Sequence, residues 1–175
     1  MHRGEDRNFM WFRDQLSRDL PQMRNIIYGY DTKLVMSESF QTLDDIAIFF
    51  IVKPKTIGRS SLSAKPLVFL CHSLGGVVLK RALVFLAESG DSEICILETV
   101  KQIIFFGLPS RGMKMSHLLS IVQGQFNQSL VELLFTGSAR LKNLDSQFSG
   151  ISLLNDVRLV SIHETLRSPI LEVSA

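Results

Sequence analysis

An α/β fold, a mostly parallel sheet with helices on both faces, is the architecture the 175-residue sequence predicts. Three observations carry that expectation. Leu67–Cys71 is a fully apolar strand-length run, Lys101–Phe106 ("KQIIFF") reads as another buried strand and Val157–Ile162 as a last one, the pattern of a parallel sheet covered on both faces. Helical spacing of apolar residues fills the intervals between them. Between the first run and its helix lies an abrupt turn of small residues, Cys71-His72-Ser73-Leu74-Gly75-Gly76.

Taken in order, "NIIY" (Asn25–Tyr28) is a short β-rich run ending at Gly29. Thr42 followed by Asp45 has the spacing of a capping box, so a buried helix is expected behind it, closed at Lys53-Pro54. "TIGRSSLSAK" is a polar loop. After the strand at Leu67–Cys71 a helix is expected from about Gly75 to Glu88. Val77, Val78, Ala82, Leu83 and Leu86 form its buried face, with Lys80 and Arg81 outward. "KQIIFF" ends at Gly107 and Pro109. From Met113 to about Leu154 the pattern is helical, with Leu141, Leu144, Phe148 and Ile151 on one face. In such sheets ligands gather beyond the carboxyl ends of the strands. Those ends are Gly29–Asp31, Cys71–Gly75, Gly107–Gly112 and His163–Ser168, and they predict one shared site.

A composition 46% hydrophobic and 21% charged is that of a globular chain. The net charge of +2 and the absence of any Lys/Arg run argue against a nucleic-acid partner. Two cysteines cannot build a disulfide framework and fit no zinc spacing, so Cys71 and Cys95 read as small buried hydrophobes of a reducing compartment. The longest apolar run, "IAIFFIV", is far short of the roughly 18 residues of a membrane span, and "MHRGEDRNFMWFRDQL" has no signal-peptide core. No cofactor and no metal are expected.

The turn at Ser73 has the order of a nucleophile elbow: apolar strand, serine, glycine, helix. Small residues on either side let the chain reverse without collision, and here Cys71 stands where G-x-S-x-G has its first glycine. Leu74 would supply one oxyanion N–H at the positive end of the helix. His72, Gly75 and Gly76 support the turn. The bland alternative is a glycine-rich turn with a structural serine.

"CHSLGGVVLKRAL" resembles the elbow of α/β-hydrolases, and specifically of the serine esterase, or lipase-like serine-active-site, family found in fungi at the head of NACHT or ankyrin proteins. "MWFRDQLSRDLPQMRNIIYGYDT" is similar to the family's W-x-R-D…L-P…R-I…Y-G-Y-D pattern, "IIFFGLPSRGM" to its F-F-G-x-P-x-x-G-M loop, and "VSIHETLRSP" to its F-Y-E-T stretch. The resemblance implies Ser73 as nucleophile, Glu164 as the acid after the last strand, and a lipid or acyl-ester substrate. It also implies that residues 1–175 form one incomplete domain. The family's first strand with its H-G-x-G oxyanion loop, and its histidine segment after the acid, have no counterpart here.

The base is therefore the open question. His2 lies at the terminus, His72 diverges from Ser73 and reads as elbow support, and His117 reads as surface or core. His163, beside Glu164, is the best fallback base. The alternative for Glu164 is a solvated loop carboxylate; Asp156 precedes its strand and lies at the wrong sheet end; Arg111 reads as surface before anion ligand. The expectation is a hydrolase fold with weak or no activity; the alternative is a non-catalytic interaction module or a truncated gene product. The cytoplasm is the expected location, and the resemblance adds peripheral contact with mitochondrion or endoplasmic reticulum. A mean hydropathy of +0.20 and an uncovered sheet edge predict self-association.

Overall fold

The computed structural model describes residues 9–31, 41–56, 65–113, 123–125 and 127–163. The chain divides into two compact units, residues 1–30 and 31–175.

The first unit contains two single-turn helices, α1 (Trp11–Asp14) and α2 (Leu16–Asp19). The Asp14 carboxylate accepts from the Met10 amide at 2.8 Å and from Arg13 Nε at 2.6 Å, which caps the first turn. The Asn25 amide donates to Ser17 Oγ at 2.8 Å and holds the following segment to α2. Asn25–Tyr28, expected as a strand, joins no ladder among the described residues. Its Ile26 and Ile27 are exposed. β-propensity reflects packing on a neighbouring strand, and this run has none there.

The second unit starts with α3 (Leu43–Thr56). Its start is the expected capping box: the Asp45 amide donates to Thr42 Oγ1 at 3.2 Å, and the Asp45 carboxylate accepts from the Thr42 amide at 2.8 Å. Ile46, Ala47 and Ile51 are buried, whereas Ile48, Phe49 and Val52 are exposed, so the helix is covered on one side only. It runs two residues past Pro54, because a proline near the end of a helix removes one hydrogen bond rather than a whole turn. The "TIGRSSLSAK" loop lies, except for Lys65, outside the described residues.

Strands β1 (Leu67–His72), β2 (Val100–Phe106) and β3 (Arg158–Ile162) form a parallel sheet in that order. The expected α/β class is observed. Between β1 and β2 run α4 (Leu74–Glu88) and α5 (Asp91–Thr99), the latter not anticipated. Between β2 and β3 the helical stretch is interrupted. Helix α6 (Gln128–Leu133) and helix α7 (Ala139–Ser149) are separated by a turn with Gly137 at φ +86°. A short 3₁₀ turn, Ser152–Leu154, leads into β3.

One sheet face carries Ile103 and Phe105, both buried in the core, with Phe105 against Gly76 of α4 and Phe148 of α7. Leu141, Leu144, Phe148 and Ile151 are buried as their spacing predicts. The register places Leu70, Ile104 and Val160 in one row of the opposite face, and His72, Phe106 and Ile162 in the next. None of these six is buried.

Lys80 corrects the expectation of an outward α4 face. It is only 8% exposed, and its ammonium is 2.6 Å from Asp145 Oδ1 on α7. Its nitrogen also stands 5.6 Å from the ring centre of Phe105 and 5.3 Å from that of Phe148. The reason is helical spacing: Val77, Lys80 and Val84 share one face, which is the face that meets α7. Arg81 does lie at the rim, where it pairs with Asp44 of α3 at 2.7 Å and stacks on Phe85.

Candidate active site

The carboxyl ends of the three strands lie together along one edge of the sheet, and the chain crosses this edge at Ser73. Pairing of β1 with β2 ends at His72↔Phe106, and the Ser73 amide then donates to Phe106 O at 2.9 Å. Ser73 has φ +48° and ψ −123°, the only described non-glycine residue with positive φ. An L-residue held there costs about 1–3 kcal/mol, and such strain persists where surroundings impose it. Helix α4 begins at the next residue. Its first turn contains no acidic side chain, and the Ser73 side chain makes no capping hydrogen bond. The hydroxyl is therefore not engaged in holding the helix, and the helix's own first turn brings no carboxylate to its positive end.

Glycine at position 76 has a steric reason. A Cβ there would lie 2.6 Å from Leu108 Cδ1 and 2.9 Å from Phe105 Cδ1. The helix can thus begin directly against β2. Cys71, two residues before Ser73, is half-buried, and burial pushes its thiol up to about 12. It is a packing residue rather than a nucleophile.

The loop after β2 forms the neighbouring part of the edge. Gly107, at φ +57°, donates its amide to Ile162 O at 2.9 Å and continues the β2–β3 pairing. Pro109 O accepts from Gly112 N–H at 2.9 Å, closing a turn that leaves Arg111 exposed. Gly112 has φ +76°, and a Cβ on it would meet Phe135 O at 2.2 Å. The Met113 amide then donates to Leu134 O at 2.7 Å, which ties the loop to the end of α6.

Of the residues singled out in the sequence, the fold brings Ser73, Leu74, His72, Gly75, Gly76 and His163 to this edge. His163 directly follows β3 and is exposed. It stands two strand spacings from Ser73, a backbone separation of about 10 Å. A serine hydroxyl and an imidazole close that gap only by leaning toward each other across β2. His72 is exposed on the sheet face it shares with Phe106 and Ile162. Glu164, His2 and His117 lie outside the described residues. Asp156 is exposed ahead of β3, at the opposite edge. Gly29–Asp31, expected as a fourth strand end, follows no strand. The described residues include no cluster of three or more His, Cys, Asp or Glu able to hold a metal, and no helix long and apolar enough to cross a membrane.

No protein-family profile matches the chain, and no solved structure matches it. Among curated proteins, it is similar to Protein SERAC1. The zebrafish (Danio rerio) protein is 25% identical over 167 residues, covering 93% of this chain and 25% of that protein. The human (Homo sapiens) protein is 25% identical over 159 residues, covering 89% of this chain and 24% of that protein. The chain thus spans about a quarter of the length of these relatives. The likeness is distant, and it extends over nearly the whole chain, as the quoted motifs do.

Proposed function

We propose that the Ser73 turn is the nucleophile elbow of a serine ester hydrolase site related to lipases and esterases. Its substrate would be a lipid or acyl ester. Ser73 Oγ attacks the acyl carbonyl while a base takes its proton. The Leu74 N–H stabilises the oxyanion, the alcohol leaves with the proton, and water then hydrolyses the acyl-enzyme. Within these residues His163 serves as base and Glu164 as orienting acid. The observation that carries the reading is the strained backbone of Ser73 at a strand-to-helix junction, the conformation that lifts a serine hydroxyl clear of its sheet.

A fluorophosphonate probe tests it. Labelling of the wild type but not of Ser73→Ala supports a competent serine. No labelling at high probe concentration sinks the hydrolase reading for this chain.

The second reading is a non-catalytic binding or regulatory module built on the same fold. It is favoured by the exposure of His163 and its two-strand distance from Ser73. It predicts that Ser73→Ala leaves partner binding unchanged. Robust ester turnover abolished by that substitution contradicts it. Liposome flotation and size-exclusion chromatography check the accompanying proposals of peripheral membrane contact and of self-association.

A further inference from the structure

We propose that Leu108 is a positioning residue for the elbow, setting through its contact with Gly76 how closely the first turn of α4 sits on β2. It thereby determines where Ser73 and the Leu74 amide stand. The inference rests on the reading of Ser73 as the reactive serine.

The backbone of Ser73 is unfavourable by itself, so the neighbouring structure must hold it. One short stretch, Phe105–Leu108, touches the elbow on both sides. Behind the serine, Phe106 O accepts the Ser73 amide at 2.9 Å. Ahead of it, the space above the Gly76 Cα is filled by Leu108 Cδ1 and Phe105 Cδ1. Phe105 is 3% exposed and packed against Phe148, so it cannot yield. Leu108, partly buried at the rim, is the adjustable member of the pair.

Leu108 is itself held from two directions. The Gly107 amide is bonded to Ile162 O of β3, and the Pro109–Gly112 turn leads into the Met113–Leu134 bond at 2.7 Å. The contact at Gly76 is thus the end of a fixed chain of backbone bonds rather than incidental packing. Reacting groups tolerate little displacement: about 1 Å of misplacement can cost about 100-fold in rate.

The experiment compares Gly76→Ala, Leu108→Ala and the double variant in the full chain. The readouts are the rate of fluorophosphonate labelling of Ser73 and deuterium exchange of the Ser73 and Gly76 amides. Gly76→Ala should slow labelling about 10- to 100-fold and speed elbow exchange, with β2–β3 amides still protected. Leu108→Ala alone should also slow labelling, because the first turn of α4 loses its stop. The double variant should recover part of what Gly76→Ala loses, since shortening Leu108 removes the closer of the two contacts and leaves the new methyl facing only the Phe105 ring at 2.9 Å. Wild-type labelling and exchange in Gly76→Ala, or a double variant as slow as Gly76→Ala, overturns the proposal.

A wild type that never labels refutes the reactive serine. The exchange measurements then decide alone: recovery in the double variant supports the role of Leu108, and no recovery overturns it. Should Gly76→Ala fail to fold, Leu108→Ala decides. Faster elbow exchange with β2–β3 intact supports the role, and unchanged exchange overturns it.

Discussion

Replacing Asp145 by alanine, and separately Lys80 by methionine, distinguishes an ion pair that holds α7 in place from one that merely fills the core. The Lys80 side chain is 10% exposed and that of Asp145 is 33% exposed. Removing Asp145 leaves an ammonium buried between the Phe105 and Phe148 rings without its counter-charge. Stranding one member of a fully buried pair costs about 3–5 kcal/mol. Asp145 is one-third exposed, so water replaces part of its effect, and about 1–3 kcal/mol is expected. Lys80→Met keeps the length of the apolar stem, removes the desolvated charge, and leaves Asp145 able to reach water. Its expected effect is within about 1 kcal/mol of neutral.

Thermal unfolding followed by circular dichroism reads both. At about 2–4 °C per kcal/mol for a chain of this size, Asp145→Ala should lower Tm by about 2–12 °C and Lys80→Met by at most about 4 °C. The difference between the two variants should persist in high salt, because a buried pair is weakly screened. If Lys80→Met destabilised more than Asp145→Ala, the assignment of the cost to a stranded buried charge would be wrong.

Three further outcomes follow from particular backbone and side-chain geometries. Ser73→Gly relieves the positive φ that Ser73→Ala retains, so the glycine variant should be about 1–3 kcal/mol more stable than the alanine variant in urea unfolding; equal stabilities contradict the strain. Gly112→Ala combines a positive φ with a Cβ 2.2 Å from Phe135 O, and should cost at least about 2 kcal/mol, while Gly124→Ala, with open space around it, should cost less. Asp14 is held at about 2, below its ordinary 3.8, first by the Arg13 guanidinium and then by the Met10 amide. Because the folded value is the lower one, its contribution to stability is present above about pH 3.8 and is lost as the pH falls toward 2. NMR titration of Arg13→Gln should move the Asp14 midpoint upward, and an unchanged midpoint contradicts the assigned cause.

Local patterns in the chain carried much of this structure. The capping box at Thr42–Asp45, the apolar runs of β1, β2 and β3, and the stripe from Leu141 to Ile151 are signals spanning a few residues, and each forms as its pattern predicts. The tight turn at Ser73 was legible because small residues between a strand and a helix imply a sharp reversal whatever surrounds them. Helix α5 was not. Asn25–Tyr28 has the composition of a strand, and composition cannot supply the neighbour a ladder requires.

The sequence by itself determined the fold class and the identity of the residue at the turn, because strand length, helical period and turn size are local properties. Only the tertiary structure decided that Ser73 is held at positive φ, that Lys80 is buried against Asp145, and that Leu108 fills the space Gly76 leaves. These facts depend on which elements meet. Contacts between positions 65 residues apart, as for Lys80 and Asp145, or 32 apart, as for Gly76 and Leu108, leave no periodic trace in the sequence. They arise when the sheet brings the end of β1 beside the end of β2 and lays α7 across α4.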